Sequence, residues 1–193
     1  MDVSTSLEVP FLGARSYLQG PSILESIQKY HGSSSNFVFK VRAQFTSNTI
    51  DVTTIQRNGA MPGAEYHWRK DKSEGCLYIY LNVANDNEKR IEFNESLITN
   101  KSIIKNEAVS LMIDPKLGLA TQIVSLNKHL LLNTWPMIKP GRWVFMAMQM
   151  REDHNSDKIL SVAIEKKVPA SLMARSLIRS GEKTIGTLDF VWR

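Results

Sequence analysis

Apolar and polar positions along this chain follow two different periods, and the switches between them mark the elements. Ile23, Leu24, Ile27 and Tyr30 recur at three- and four-residue spacing, which predicts a helix over 21–30. Its start carries two alternative signals. Either Gly20 caps it with Pro21 at the first helical position, or Ser22 caps it with Glu25 three residues on. Gly32 is a natural terminator. A second helix is predicted over 119–132, where Leu119, Ile123, Leu126 and Leu130 form one stripe and Ala120, Val124 and Leu131 widen it. A helix apolar over so much of its circumference is a buried one, and a sheet wrapped around it is the natural cover.

Between and after the helices the period drops to two. Leu77, Ile79, Leu81 and Val83 alternate with Cys76, Tyr78, Tyr80 and Asn82, which predicts a strand over 76–84. Further strands are expected over 36–46, 48–55 and 102–113, then over 142–151, 158–166, 172–179 and 184–192. Pro10 marks 8–12 as a short edge strand. Residues 57–75 read as a long polar connection, 85–87 as a turn, and Ser180-Gly181 as a hairpin turn. On the strand after the second helix, Met146, Met148 and Met150 share a face with Val144, while Trp143 and Phe145 take the other. Each helix leads into an aromatic strand, Phe37-Val38-Phe39 and Trp143-Val144-Phe145, so one architecture occurs twice. The expected fold is α+β with two units, 1–113 and 114–193, each a central helix with its own antiparallel sheet.

Composition narrows the class. With 193 residues, 42% hydrophobic and 22% charged, the chain can bury a core and is not a disordered type. Cys76, the single cysteine, cannot form an intrachain disulfide and reads as a small strand residue. No stretch approaches the roughly 20 apolar residues that span a bilayer, and the N-terminus lacks signal-peptide features. A soluble, cytoplasmic protein is expected, without membrane association. The net charge of +5 is uneven. Residues 1–100 hold ten Lys/Arg against eleven Asp/Glu, and 101–193 hold fourteen against eight. That balance suits an anionic partner.

Candidate chemistry is sparse. His67, flanked by Glu65 and Arg69 at alternating positions, is the best placed acid–base candidate. His31 ends the first helix, where the dipole favours a cation, His129 lies between apolar positions of the second, and His154 sits in a polar turn. No His or Cys pair has metal-ligand spacing, no Gly-rich phosphate loop stands between strand and helix, and no nucleophile elbow is present. Neither metal nor cofactor is expected.

A nearly all-apolar helix gripped by an antiparallel sheet, occurring twice in one chain, resembles the tandem hot-dog proteins. The resemblance implies binding and turnover of an acyl thioester of coenzyme A or acyl carrier protein, in the manner of a thioesterase or dehydratase. It is not complete. After Met61-Pro62-Gly63 comes Ala64-Glu65-Tyr66-His67-Trp68 rather than an apolar helix, and the second helix carries Ser125, Asn127 and His129 but no carboxylate. Glu25 matches the helix carboxylate of several hot-dog thioesterases, and with His31 and His67 it makes the expected catalytic set, with Asn127, His129 and Arg69 on the substrate. Two other readings stay open. Tyr78 and Tyr80 with Lys40 and Arg42 suggest a single-stranded nucleic-acid surface, which ranks below the acyl reading. A non-catalytic structural or assembly subunit, with sheets pairing into a homo-oligomer, is the other.

Overall fold

A computed structural model describes residues 4–32, 34–82, 89–136, 140–153, 155 and 158–193. The expected turn at 85–87, the end of the strand at 83–84 and His154 lie outside them. The chain forms two compact units, Met1–Phe93 and Asn94–Arg193.

The first unit contains β1 (Ser4–Glu8), β2 (Phe11–Leu12), α1 (Gly20–His31), β3 (Asn36–Val41), β4 (Thr49–Thr53), β5 (Ala64–Lys70), β6 (Ser73–Asn82) and β7 (Arg90–Ile91). Five of the strands make an antiparallel sheet in the order β1-β4-β6-β5-β3. The edge strand expected over 8–12 is instead two pieces: β1 ends at Glu8, and β2 pairs in parallel with β7. The connection expected over 57–75 is mostly sheet. Ala64, Tyr66 and Trp68 alternate with Glu65, His67 and Arg69 through β5, and a tight turn at Asp71-Lys72 returns the chain as β6. Asp71 takes a left-handed φ of 53°, which Asp tolerates, so the turn closes without the glycine that would have announced it.

Helix α1 begins at Gly20 with Pro21 in its first turn, and no side chain caps it. Ser22 is therefore not the cap. Its hydroxyl is buried, without a hydrogen-bond partner among the described residues. Gly32 ends the helix at φ 95°, its N–H donating to Gln28 O. Ile23, Leu24 and Ile27 are wholly buried, as are Ile50, Phe39, Tyr66 and Ile79 of the sheet. Contacts fix which sheet face the helix covers. His31 packs on Trp68 with ring centroids 4.9 Å apart, and the Tyr30 hydroxyl donates to Thr5 Oγ1.

The second unit contains α2 (Ser96–Thr99), β8 (Ile103–Lys105), β9 (Ala108–Leu111), α3 (Leu119–Thr134), β10 (Trp143–Met150), β11 (Leu160–Val168), β12 (Met173–Ser180) and β13 (Lys183–Trp192). Its antiparallel sheet runs β10-β13-β12-β11-β9-β8. The segment 94–113, which the sequence pattern places with the first unit, packs here, α2 on α3 and β9 along β11. Helix α3 has the burial its composition demands, with every residue from Ala120 to Asn127 inside, then Leu130 and Leu131.

In β10 the structure departs from simple alternation. A bulge between Phe145 and Ala147 shifts the register against β13, so Met148 and Met150 join Trp143 and Phe145 on the buried face. Met146, expected to share their face, is left half-buried on the other side of the shift. Trp143 gathers an aromatic cluster: Trp135 lies 5.2 Å away and Trp192 5.5 Å, edge-on.

Candidate functional site

Alternation in β5 puts Tyr66 and Trp68 toward α1, so Glu65, His67 and Arg69 occupy the opposite face of the sheet. The hairpin register then brings Cys76 directly opposite His67. Cys76 Sγ lies 3.6 Å from His67 Nε2, and Glu65 Oε2 lies 3.3 Å from the same nitrogen. Arg42 Nε donates to the other Glu65 oxygen at 3.0 Å. Arg69 pairs with Glu74 at 2.8 Å. His67, Cys76, Arg69 and Glu74 border an open cleft of about 560 Å³, lined also by Asn36 and Val38 among others.

The electrostatics follow from the neighbours. Burial pushes the Glu65 carboxyl up, but hydrogen bonds and charge from Arg42 and His67 outweigh it and hold the group below its ordinary value. Burial pushes the Cys76 thiol up, and the Glu65 charge adds to that against a hydrogen bond with Tyr78. Cys76 at rest is therefore a thiol, not an activated thiolate. Because Glu65 and Cys76 meet one nitrogen rather than opposite ring nitrogens, this is not a relay in which the acid orients the histidine from behind.

On the same face Asp51 accepts from Ser6 at 2.7 Å, Asn82 at 2.8 Å and Arg57 at 2.7 Å. The Arg57 guanidinium then lies 4.6 Å over the Tyr80 ring, leaving that ring 5% exposed. A base-stacking platform needs open rings and uncommitted cations. Tyr80 is covered and Arg42 is held by Glu65, which leaves the half-buried Tyr78 and the exposed Lys40 of the four residues that suggested a nucleic-acid surface.

In the second unit the chemistry sits on α3, where two buried side-chain amides have opposite fates. Gln122 is fully satisfied. Its Nε2 donates to Asp114 O and Leu117 O at 3.0 Å, and its Oε1 accepts from Asp114 N at 2.9 Å, so it clamps the turn that precedes the helix. Asn127, also 0% exposed, has no partner for either Nδ2 or Oδ1 among the described residues. It stands at the centre of the apolar stripe, one turn from Ile123 and from Leu131. An orphaned amide there is costly unless a ligand group or water meets it.

The residues implied by the resemblance are thus distributed. His67 and Arg69 share the cleft. Glu25, half-buried on α1, and the exposed His31 belong to the helix-covered side of β5, opposite His67. Asn127 and His129 both lie on α3, where the His129 ring meets Asn133 Nδ2 at 3.4 Å. Sequence reasoning missed Cys76 as a neighbour of His67 and Gln122 as the clamp. A strand assignment for 64–70 would have revealed the first, since a turn at 71–72 pairs 67 with 76.

No known protein family matches the chain, and no curated protein matches its sequence. Solved structures do. The 12:0-ACP thioesterase from Umbellularia californica aligns with a TM-score of 0.52 at 10% identity, over 100% of this chain and 97% of that one. The erythromycin dehydratase aligns with a TM-score of 0.50 at 9% identity, over 100% of this chain and 91% of that one. The chain has the hot-dog fold. Each of its hot-dog-like units is a central apolar helix with an antiparallel sheet, α1 in the first and α3 in the second. No helix among the described residues of this double hot dog is long and apolar enough to cross a membrane.

Proposed function

We propose that this double hot dog binds an acyl thioester of coenzyme A or acyl carrier protein and turns it over, as a thioesterase or dehydratase-like enzyme of the cytoplasm. The fold supports the reading, since the two structures above are named as a thioesterase and a dehydratase. The single observation that carries it is Asn127. A fully buried side-chain amide with both ends unpaired, midway along the central apolar helix, offers a donor to a thioester carbonyl and an acceptor to an amide N–H. A site of this kind discriminates by leaving its own polar atoms unpaired when the ligand lacks the matching group.

The test is to titrate the purified protein with acyl-coenzyme A and acyl-carrier-protein thioesters, following melting temperature and free thiol together. Stabilisation with thiol release identifies a thioesterase, and stabilisation with loss of water from a 3-hydroxyacyl thioester identifies a dehydratase. Asn127→Leu is expected to abolish both responses in a folded protein. If that variant responds like the wild type, the site assignment fails. If no thioester stabilises the wild type, the function itself fails.

A further inference from the structure

The cleft on the first unit lies on the sheet face away from α1, and its composition is unusual for a strand surface. Along the row Val38–His67–Cys76, set by the pairing of β3, β5 and β6, two short apolar side chains flank the imidazole. The row before it carries Asn36, Arg69 and Glu74, and the row after it Lys40, Glu65 and Tyr78, all longer and polar. Short residues between long ones leave a hollow lined by a thiol and an imidazole, with the Arg69–Glu74 ion pair beside them. Its volume of about 560 Å³ lies within the range of pockets that hold small molecules. Cys76 is half-buried in it, and His67, with 46% of its side chain exposed, stands between the thiol and solvent.

We propose that Cys76 is an acyl-acceptor site, at which an acyl group passes from a thioester to the protein by thiol–thioester exchange with His67 carrying the proton. The inference takes its co-reactant class from the function proposed above. His67 Nε2, unprotonated in the tautomer that bears hydrogen on Nδ1, accepts the proton of Cys76 Sγ across 3.6 Å. The sulfur attacks the thioester carbonyl carbon, and one C–S bond forms. The original C–S bond of the tetrahedral intermediate then breaks, and the departing thiolate takes the proton back from Nε2. Thiol plus thioester gives thioester plus thiol, with no oxidation or reduction. Glu65, 3.3 Å from Nε2, faces the imidazolium while it exists. Arg42, whose Nε donates to the other Glu65 oxygen at 3.0 Å, helps keep that carboxylate ionised. The shared nitrogen that rules out a relay from behind suits this shuttle, because the proton enters and leaves through one atom. The thiol is inert at rest, since burial and the Glu65 charge make it a weaker acid.

Intact-mass spectrometry of the full chain with octanoyl-coenzyme A at pH 7 tests this. The native protein is expected to gain one octanoyl group, labile to neutral hydroxylamine and mapping to Cys76, at least ten times faster than the urea-unfolded chain. Cys76→Ser should remove the adduct, and His67→Gln should slow it ten-fold or more. Equal rates for native and unfolded protein, or for wild type and His67→Gln, overturn the inference. Acylation without thermal stabilisation of the wild type by thioesters upholds the acceptor site and refutes the proposed function. Stabilisation without acylation does the reverse.

Discussion

At the scale of the residue, the two buried amides of α3 make opposite forecasts. Gln122→Leu strips three hydrogen bonds and strands the backbone groups of Asp114 and Leu117, so a loss of about 3 kcal/mol is expected in urea unfolding. Asn127→Leu removes two unpaired polar atoms from an apolar stripe and adds apolar contact, so a gain of about 1–2 kcal/mol is expected in the same assay. A loss at Asn127 of the size seen at Gln122 would mean its amide is satisfied in solution. Nothing in the local sequence separates these residues, because both interrupt the same apolar pattern. Their difference lies in what faces them. Asp114-Pro115 turns back over the start of the helix and presents peptide groups to Gln122, whereas Asn127 lies five residues further on, within the apolar stripe.

At the scale of the element, the helices and most strands were legible because burial on one face imposes a period that a sequence must carry. Two features were not. The β5–β6 hairpin hides in a polar stretch, closed by Asp71 in a conformation that glycine or asparagine more often signals. With it were hidden the opposition of His67 to Cys76 and so the whole cleft. The bulge in β10 is a mismatch between two strands, and no single strand encodes where two residues will face one. The β10–β13 pairing near it is close-fitting, for a Cβ at Gly186 would run into the carbonyl of Gln149 and the sulfur of Met150. Gly186→Ala is therefore expected to cost about 2–3 kcal/mol, measured by chemical unfolding. A neutral result would mean that the strands part there.

At the scale of the whole molecule, acid is the informative stress. Asp51 titrates below its ordinary 3.8 because hydrogen bonds from Arg57, Ser6 and Asn82 and the Arg57 charge outweigh burial, and Glu65 below its ordinary 4.5. Both are depressed on folding, so their stabilisation is complete above their unfolded values and is lost as pH falls through the folded ones. The urea midpoint should hold from pH 7 to about 5 and fall below about pH 4, and Asp51→Asn should flatten that fall. An unchanged slope in the variant would assign the acid sensitivity elsewhere. The placement of the four tryptophans gives such experiments their own signal. Trp68 is the single indole of the first unit and leans on His31, while in the second Trp143 packs against both Trp135 and Trp192. A protonated imidazole quenches the emission of an adjacent indole, and packed indoles couple their near-ultraviolet transitions into a dichroic couplet. Emission from Trp68 and the couplet of the trio thus separate the melting of each unit in one unlabelled sample, and each can be followed by its own light.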